Sequence, residues 1–439
     1  MSQATATRVI APARNLLGSL RLPGDKSISH RYALLGGLAH GTTQLENFST
    51  GADPTSSLGC VAALGAKVER DGASITIHGC GGEFQPSSAP LDCGNSGSTM
   101  RMLAGLLASQ PGGFTLIGDR SLSRRPMERI RKPLEAMGAR ITLTDGHAPF
   151  TIEGAPLKAI EYVTPVPSAQ VKTAVLFAGL HAHGTTTVTE SVRTRDHGEI
   201  ALEAFGVSLT RHLNSVSIAG GQQLQGVNAV IPGDISSAAF FLCAAALFPD
   251  SGLLLDNLGL NPTRATLLDV LATLGAKTSV LNLEQRSGNP AQRNGELVGT
   301  VQLVAPKDGL TGATISGALA AQLIDELPVL AAIAPYTRNG IRIRDAKELR
   351  VKESDRIALV AENLRRMGAE VTEVEDGLDV PGGQTLHGAE IDSGDDHRIA
   401  MAFSVAALRA EGESTIHGAE SADISFPEFF SLLDQVAIR

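Results

Sequence analysis

Cysteine is scarce in this chain, with four residues at Cys60, Cys80, Cys93 and Cys243, no Cys-x-x-Cys step and no Cys/His ligand spacing. That pattern argues against a disulfide framework or a zinc site and fits a reducing cytosol. Positive charge is also in deficit. A net charge of −9 argues against a nucleic-acid or acidic-membrane binder, since both need a basic surface, but not against a local basic cleft for small anions. Met1 to Gly18 has no apolar core of a signal peptide, so a cytoplasmic protein is expected. The most apolar run, Ala238 to Phe248, is too short to span a bilayer. Common nucleotide motifs are missing too. Gly24-Asp25-Lys26-Ser27 mimics the end of a Walker A loop but lacks its Gly-Lys step, and no Gly-x-Gly-x-x-Gly follows a strand.

What is present is a globular composition, 43% apolar and 19% charged, over 439 residues, too long for one ordinary core. Two interleaved phrases repeat along it. The first is a large apolar residue, Gly and a small apolar residue, at Leu64-Gly65-Ala66, Met137-Gly138-Ala139, Phe205-Gly206-Val207, Leu274-Gly275-Ala276 and Met367-Gly368-Ala369. Gly there suits the left-handed position past a helix end. Alternating segments follow four of them, at 67–78, 140–152, 208–218 and 370–380, and read as strand pairs. After Ala276 the spacing is lengthened by the polar stretch 285–294.

The second phrase is a polar start followed by an Ala/Leu/Gly-rich run. Its copies begin at Asp25, Asn95, Ser168, Asp234, Asp325 and Asp396, a period of roughly seventy residues. These runs are apolar nearly all round and predict buried helices, whereas the helices before each Gly phrase are amphipathic and predict outer ones. Each unit is therefore buried helix, strand, outer helix, strand pair. The sixth lacks its strand pair, and the strand-like stretches at 7–10 and 16–22 are expected to complete it. The fold class is α/β (α+β), with three units in residues 22–231 and three in 1–21 plus 232–439, and a substrate cleft between the two domains.

Polar groups gather where the buried helices begin. The segments are Pro23 to Arg31, Gly94 to Arg101, Pro167 to Gln170, and Asp396-His397-Arg398. Helix starts present free N–H groups to phosphates and carboxylates. Asp25, Asn95, Ser168 and Asp234 read either as N-caps alone or as groups that also face an anionic ligand. Capping does not explain Lys26, Arg31, Arg101 or Arg398, because cations oppose the dipole there. A second basic set precedes the outer helices: Arg124-Arg125-Pro126, Arg195-Asp196-His197, and Arg350 to Arg356. Of these, Arg124, Arg350 and the nearby Arg193 read as solvated surface. Asp325-Glu326, just before Pro328 and an apolar run, offers either a cap or a base tuned by burial. His30 and His397 read as structural donors.

Together these segments, with Ser168-Ala169-Gln170-Val171-Lys172 and Arg350-Val351-Lys352-Glu353-Ser354-Asp355-Arg356, resemble the 5-enolpyruvylshikimate-3-phosphate synthase family in order along nearly the whole chain. The resemblance implies an enolpyruvyl-transferase fold whose cleft closes on substrate. It implies that Lys26, Ser27, Arg31, Ser168, Ala169, Gln170, Arg195, Asp325 and Lys352 hold shikimate 3-phosphate. Lys26, Gly97, Arg125, Gln170, Arg356 and Arg398 would hold phosphoenolpyruvate. The domain 22–231 would be the shikimate 3-phosphate side, the other the phosphoenolpyruvate side and the general base. Asp325 would take the proton of the 5-hydroxyl, with Glu353 or Lys26 managing the proton at the vinyl methylene. No metal or other cofactor is implied, nor a nucleic-acid or membrane partner, and the protein is expected as a monomer. Glyphosate would be an inhibitor. Two points depart from or test the pattern. Many members carry Lys where this chain has Ile424, and the related UDP-N-acetylglucosamine enolpyruvyl transferases look for a Cys in the loop 118–126, where this chain has none.

Overall fold

The computed structural model describes residues 6–87, 89–287 and 295–439. They form two compact units, Gly24–Pro232 with Gln285–Glu296, and Met1–Pro23 with Gly233–Glu284 and Leu297–Arg439. Each has its own hydrophobic core. Glu296 groups with the first unit, where its Oε1 lies 2.6 Å from His197 Nδ1. Of the polar stretch 285–294, residues 288–294 lie outside the described residues.

The repeat is visible in strand pairing. Among the described residues there are six sheets, and each contains a strand with one parallel and one antiparallel neighbour. In the first unit these central strands are Thr42–Glu46, Gly113–Ile117 and Thr185–Thr189. Their parallel neighbours are Asn228–Val230, Leu91–Asp92 and Glu161–Val163. Their antiparallel neighbours are Ser74–His78, His147–Glu153 and Ser215–Ala219. Asn228–Val230 comes from the end of the unit, so the chain returns to finish its first sheet.

The second unit repeats the scheme on Gly252–Gly259, Ile341–Ile343 and Ser414–His417. Here the N-terminal segments divide. Thr7–Ile10 pairs antiparallel with Ser414–His417 and completes the sixth sheet. Asn15–Arg21 instead runs parallel to Gly252–Gly259 and opens the fourth. The expectation that both complete the sixth unit therefore holds for the first stretch only. Apolar alternation alone does not say which sheet a strand joins. The C-terminal Ala437–Ile438 adds a short strand beside Asn15 and Leu16.

Helix ends follow from the glycine phrases. Gly65, Gly138, Gly206, Gly275 and Gly368 all have φ between +87° and +116°. The residue after each donates its N–H to a carbonyl five residues back, as in Ala66 to Val61 at 3.1 Å and Ala369 to Leu364 at 2.9 Å. This bond closes the helix and turns the chain into the following strand. Strand faces obey the two-residue period: Ala148, Phe150 and Ile152 of His147–Glu153 are buried while their neighbours are not.

The buried helices are Lys26–Leu38, Gly97–Leu107, Ala169–Gly179, Ile235–Ala246, Leu327–Ile333 and His397–Ala407. Small residues let them approach closely. Outer helices Glu128–Met137 and Arg356–Arg366 bury one face. The helix His197–Ala204, expected outside, is buried at every position. Its acidic residues are matched by cations: Glu199 Oε1 lies 2.8 Å from Lys172 Nζ, which also meets Glu190 of the preceding segment at 2.8 Å, and Glu203 Oε2 lies 2.5 Å from Arg211. The free cysteines Cys60, Cys93 and Cys243 are buried. Among the described residues, no helix is long and apolar enough to cross a membrane.

Two helical glycines should respond oppositely to alanine. A Cβ on Gly105 would stand 2.2 Å from Ala174 O of the neighbouring buried helix, whereas one on Gly59 meets nothing within 4 Å. Gly105→Ala is expected to destabilise by about 1–3 kcal/mol, and Gly59→Ala to stabilise by about 0.5–1 kcal/mol. Urea denaturation checks both; equal shifts would contradict this packing.

Candidate active site

In the first unit three helix starts carry the candidate residues. Asp25 caps Lys26–Leu38, accepting from Ile28 N at 2.9 Å. At the first position Lys26 extends its Nζ to 3.0 Å from Asp53 Oδ2. Arg31, one turn on, donates to Ser27 O at 2.9 Å and to Thr173 Oγ1 at 3.1 Å, which ties this helix to Ala169–Gly179. Burial pulls the Arg31 guanidinium down to about 10, with Glu199 opposing and Arg195 adding to the effect. It still carries its charge at neutral pH. His30 is buried, and burial with Lys26 and Arg31 holds it well below its ordinary value. It serves as a neutral link, with Nδ1 2.9 Å from Ser57 Oγ.

At the second start the cap is Ser96, which accepts from Thr99 N at 3.0 Å. Asn95, expected as the cap, instead accepts from Arg125 at 2.7 Å and donates to Asp119 at 2.7 Å. A capping oxygen must sit next to the first helical residue, and Ser96 does. Arg101 donates to Gln170 Oε1 at 2.6 Å, and Gln170 Nε2 donates to Ser98 Oγ at 2.9 Å. The amide thereby has one orientation. Gly97 lies between the two arginines: a Cβ there would be 3.3 Å from Arg101 and 3.5 Å from Arg125. Ser168 caps the third helix through Val171 N at 3.4 Å, with Ala169 half-buried at its first position. Arg195 is half-buried and electrostatically coupled to Arg31.

The second unit holds a carboxylate inside a group of cations. Around Asp325 stand Lys352 Nζ at 3.9 Å, Arg356 Nη1 at 3.8 Å and Arg398 Nη2 at 3.8 Å. Arg398 also donates to Asp325 O at 2.6 Å. Arg356 is 1% exposed. It donates to Asp396 Oδ2 at 2.8 Å and to Glu353 Oε2 at 2.5 Å. Burial works against that charge, but Asp396 and Glu353 outweigh it and raise its proton affinity. Lys352 moves the other way, lowered by burial more than Asp325 restores it. Ser354 Oγ adds a 2.8 Å bond to Asp396.

Three expectations change here. Asp325 is no cap, since the helix starts at Leu327 after Glu326. Arg350 is not solvated surface, because it grips Asp355, Glu373 and the carbonyls of Val374 and Glu375 at 2.7–3.2 Å. Asp396, read only as a helix start, is also the main counter-ion of Arg356. Among the described residues, no three His, Cys, Asp or Glu side chains are grouped so as to hold a metal ion.

The family model for EPSP synthase (3-phosphoshikimate 1-carboxyvinyltransferase) matches residues 10–433. The chain belongs to the EPSP synthase family. It is 61% identical to the 3-phosphoshikimate 1-carboxyvinyltransferase of Koribacter versatilis, over 98% of this chain and 99% of that one. To the same enzyme of Solibacter usitatus it is 51% identical, with the same coverage. A solved EPSP synthase from Acinetobacter baumannii superposes with a TM-score of 0.86 at 39% identity over 98% of both chains. The mixed helix-and-sheet fold is thus that of EPSP synthase. The match includes every helix start described above, and Ile424, which ends the short turn Ala419–Ile424 half-buried.

The Arg356–Asp396 pair should control acid stability of its unit. Burial raises the Asp396 carboxyl, but Arg356 overcomes this and holds it below the usual carboxylate range. Its contribution is therefore present above the unfolded value and lost as pH falls through the folded one. Asp396→Asn is expected to cost about 3–5 kcal/mol at neutral pH and to flatten the fall in urea midpoint below about pH 4. Parallel acid limbs for the two proteins would contradict this.

Proposed function

We propose that this chain transfers the enolpyruvyl group of phosphoenolpyruvate to the 5-hydroxyl of shikimate 3-phosphate and releases phosphate. The observation that carries the reading is Asp325 with Lys352, Arg356 and Arg398 all within 3.9 Å. A carboxylate so placed is a base beside the anions whose reaction it starts. Both substrates carry a phosphate and a carboxylate, so the need is for preorganised cations rather than a new electrophile. Arginine forks suit these oxyanions.

Lys26, Ser27, Arg31, Ser168, Ala169, Gln170 and Arg195 of the first unit, and Asp325 and Lys352 of the second, bind shikimate 3-phosphate. Phosphoenolpyruvate is held by Lys26, Gly97, Arg125 and Gln170, and by Arg356 and Arg398. Asp325 accepts the 5-hydroxyl proton as that oxygen bonds to the enol carbon. Glu353 or Lys26 protonates the methylene, giving a tetrahedral intermediate. Loss of a methyl proton and of phosphate then restores the vinyl group. Alignment of the two anions supplies about 7–11 kcal/mol of the barrier reduction. The enzyme works in the cytoplasm as a monomer, in the route to aromatic amino acids.

Asp325→Asn is expected to lower kcat about a hundredfold or more while calorimetry still shows shikimate 3-phosphate binding. A folded variant with near-normal kcat would remove Asp325 from the mechanism. Gly97 generates a second test. Its missing side chain leaves room beside Arg101 and Arg125, so glyphosate should inhibit competitively with phosphoenolpyruvate. Gly97→Ala should weaken that inhibition about tenfold, more than it raises KM. Equal inhibition of the two proteins would contradict the placement.

A further inference from the structure

Asp325 and Glu326 are adjacent but face different surroundings. Asp325 keeps 15% of its side chain exposed among cations. Glu326 is 2% exposed, and its Oε1 accepts from Ser236 Oγ at the start of helix Ile235–Ala246. Ser236 Oγ in turn accepts from Arg264. Ser236 and Arg264 are buried as well. The Arg264 guanidinium stands 3.7 Å from Asp234 Oδ1 and 3.9 Å from Glu326 Oε1. A hydroxyl has one proton, and a guanidinium can only donate. The proton of Ser236 must therefore point to Glu326, and the series Arg264, Ser236, Glu326 has a single direction.

We propose that Glu326 is a positioning residue for Asp325, acting through this buried series. The backbone around the base is held at consecutive residues. Arg398 donates to Asp325 O at 2.6 Å, and Glu326 N donates to Leu323 O at 2.8 Å. The Glu326 side chain then fastens the next link to a different helix. Capping does not account for its burial, since Glu326 makes no side-chain cap bond to Leu327–Ile333. Stability does not account for it either, because apolar residues of similar volume usually serve a core as well as a buried ion pair. What the series supplies is a fixed Cα position for Asp325, and a base misplaced by an ångström loses much of its rate.

The inference rests on Asp325 being the base, and a double-mutant cycle separates the two claims. Glu326→Gln is expected to lower kcat about tenfold, with KM for shikimate 3-phosphate within about twofold of the parent. In an Asp325→Asn background the same change should alter kcat by less than about twofold, because there is no base left to aim. Ser236→Ala, which leaves the carboxylate in place, should reproduce both results in weaker form and covers the case of a poorly folding Glu326→Gln. An equal loss of kcat in both backgrounds, or a rise in KM without a fall in kcat, would overturn the positioning role. Unchanged kcat in Asp325→Asn alone would instead remove the base, and with it both claims.

Discussion

A guanidinium buried as deeply as Arg356 persists only where carboxylates match it, and most of the second unit's chemistry hangs on that match. Asp396 and Glu353 hold it by hydrogen bonds, and Asp325 stands 3.8 Å away. Asp396 begins one buried helix and Arg356 one outer helix. The ion pair therefore fixes the junction of two elements as well as a charge. Removing Arg356 would leave Asp396 without its buried counter-ion, and removing Asp396 would leave Arg356 to Glu353 and the more distant Asp325. The first unit uses a different device. Two of its arginines are fastened to neutral acceptors, Arg31 to Thr173 and Arg101 to Gln170, while Lys26 is paired with Asp53.

This division suits a transfer between two anionic substrates. Cations at helix starts oppose the local dipole, and a sequence bears that cost only when another interaction offsets it. Lys26 has Asp53, and Arg398 has the carbonyl of Asp325. The close packing of buried helices around glycine and alanine gives these starts a rigid base, which is what preorganised electrostatics needs.

Much of the fold was legible because the repeat has two independent signals. The glycine phrase marks where a helix must stop, and all five copies adopt the left-handed conformation. The apolar run marks a helix buried on every side. Partners distant in sequence were less legible. Nothing near Asn15–Arg21 says that it opens a sheet with Gly252–Gly259, and nothing near Lys172 announces Glu190 and Glu199. At the site, residue types showed where charge gathers, but not which residue does what. Asn95 resembled a cap and proved a ligand of Arg125, while Arg350 resembled surface and proved a clamp.

The most direct measurement is phosphate release from phosphoenolpyruvate by the purified protein with different acceptors. Release that requires shikimate 3-phosphate and does not occur with UDP-N-acetylglucosamine is the expected result. Release with the UDP-sugar, or with neither acceptor, would contradict it.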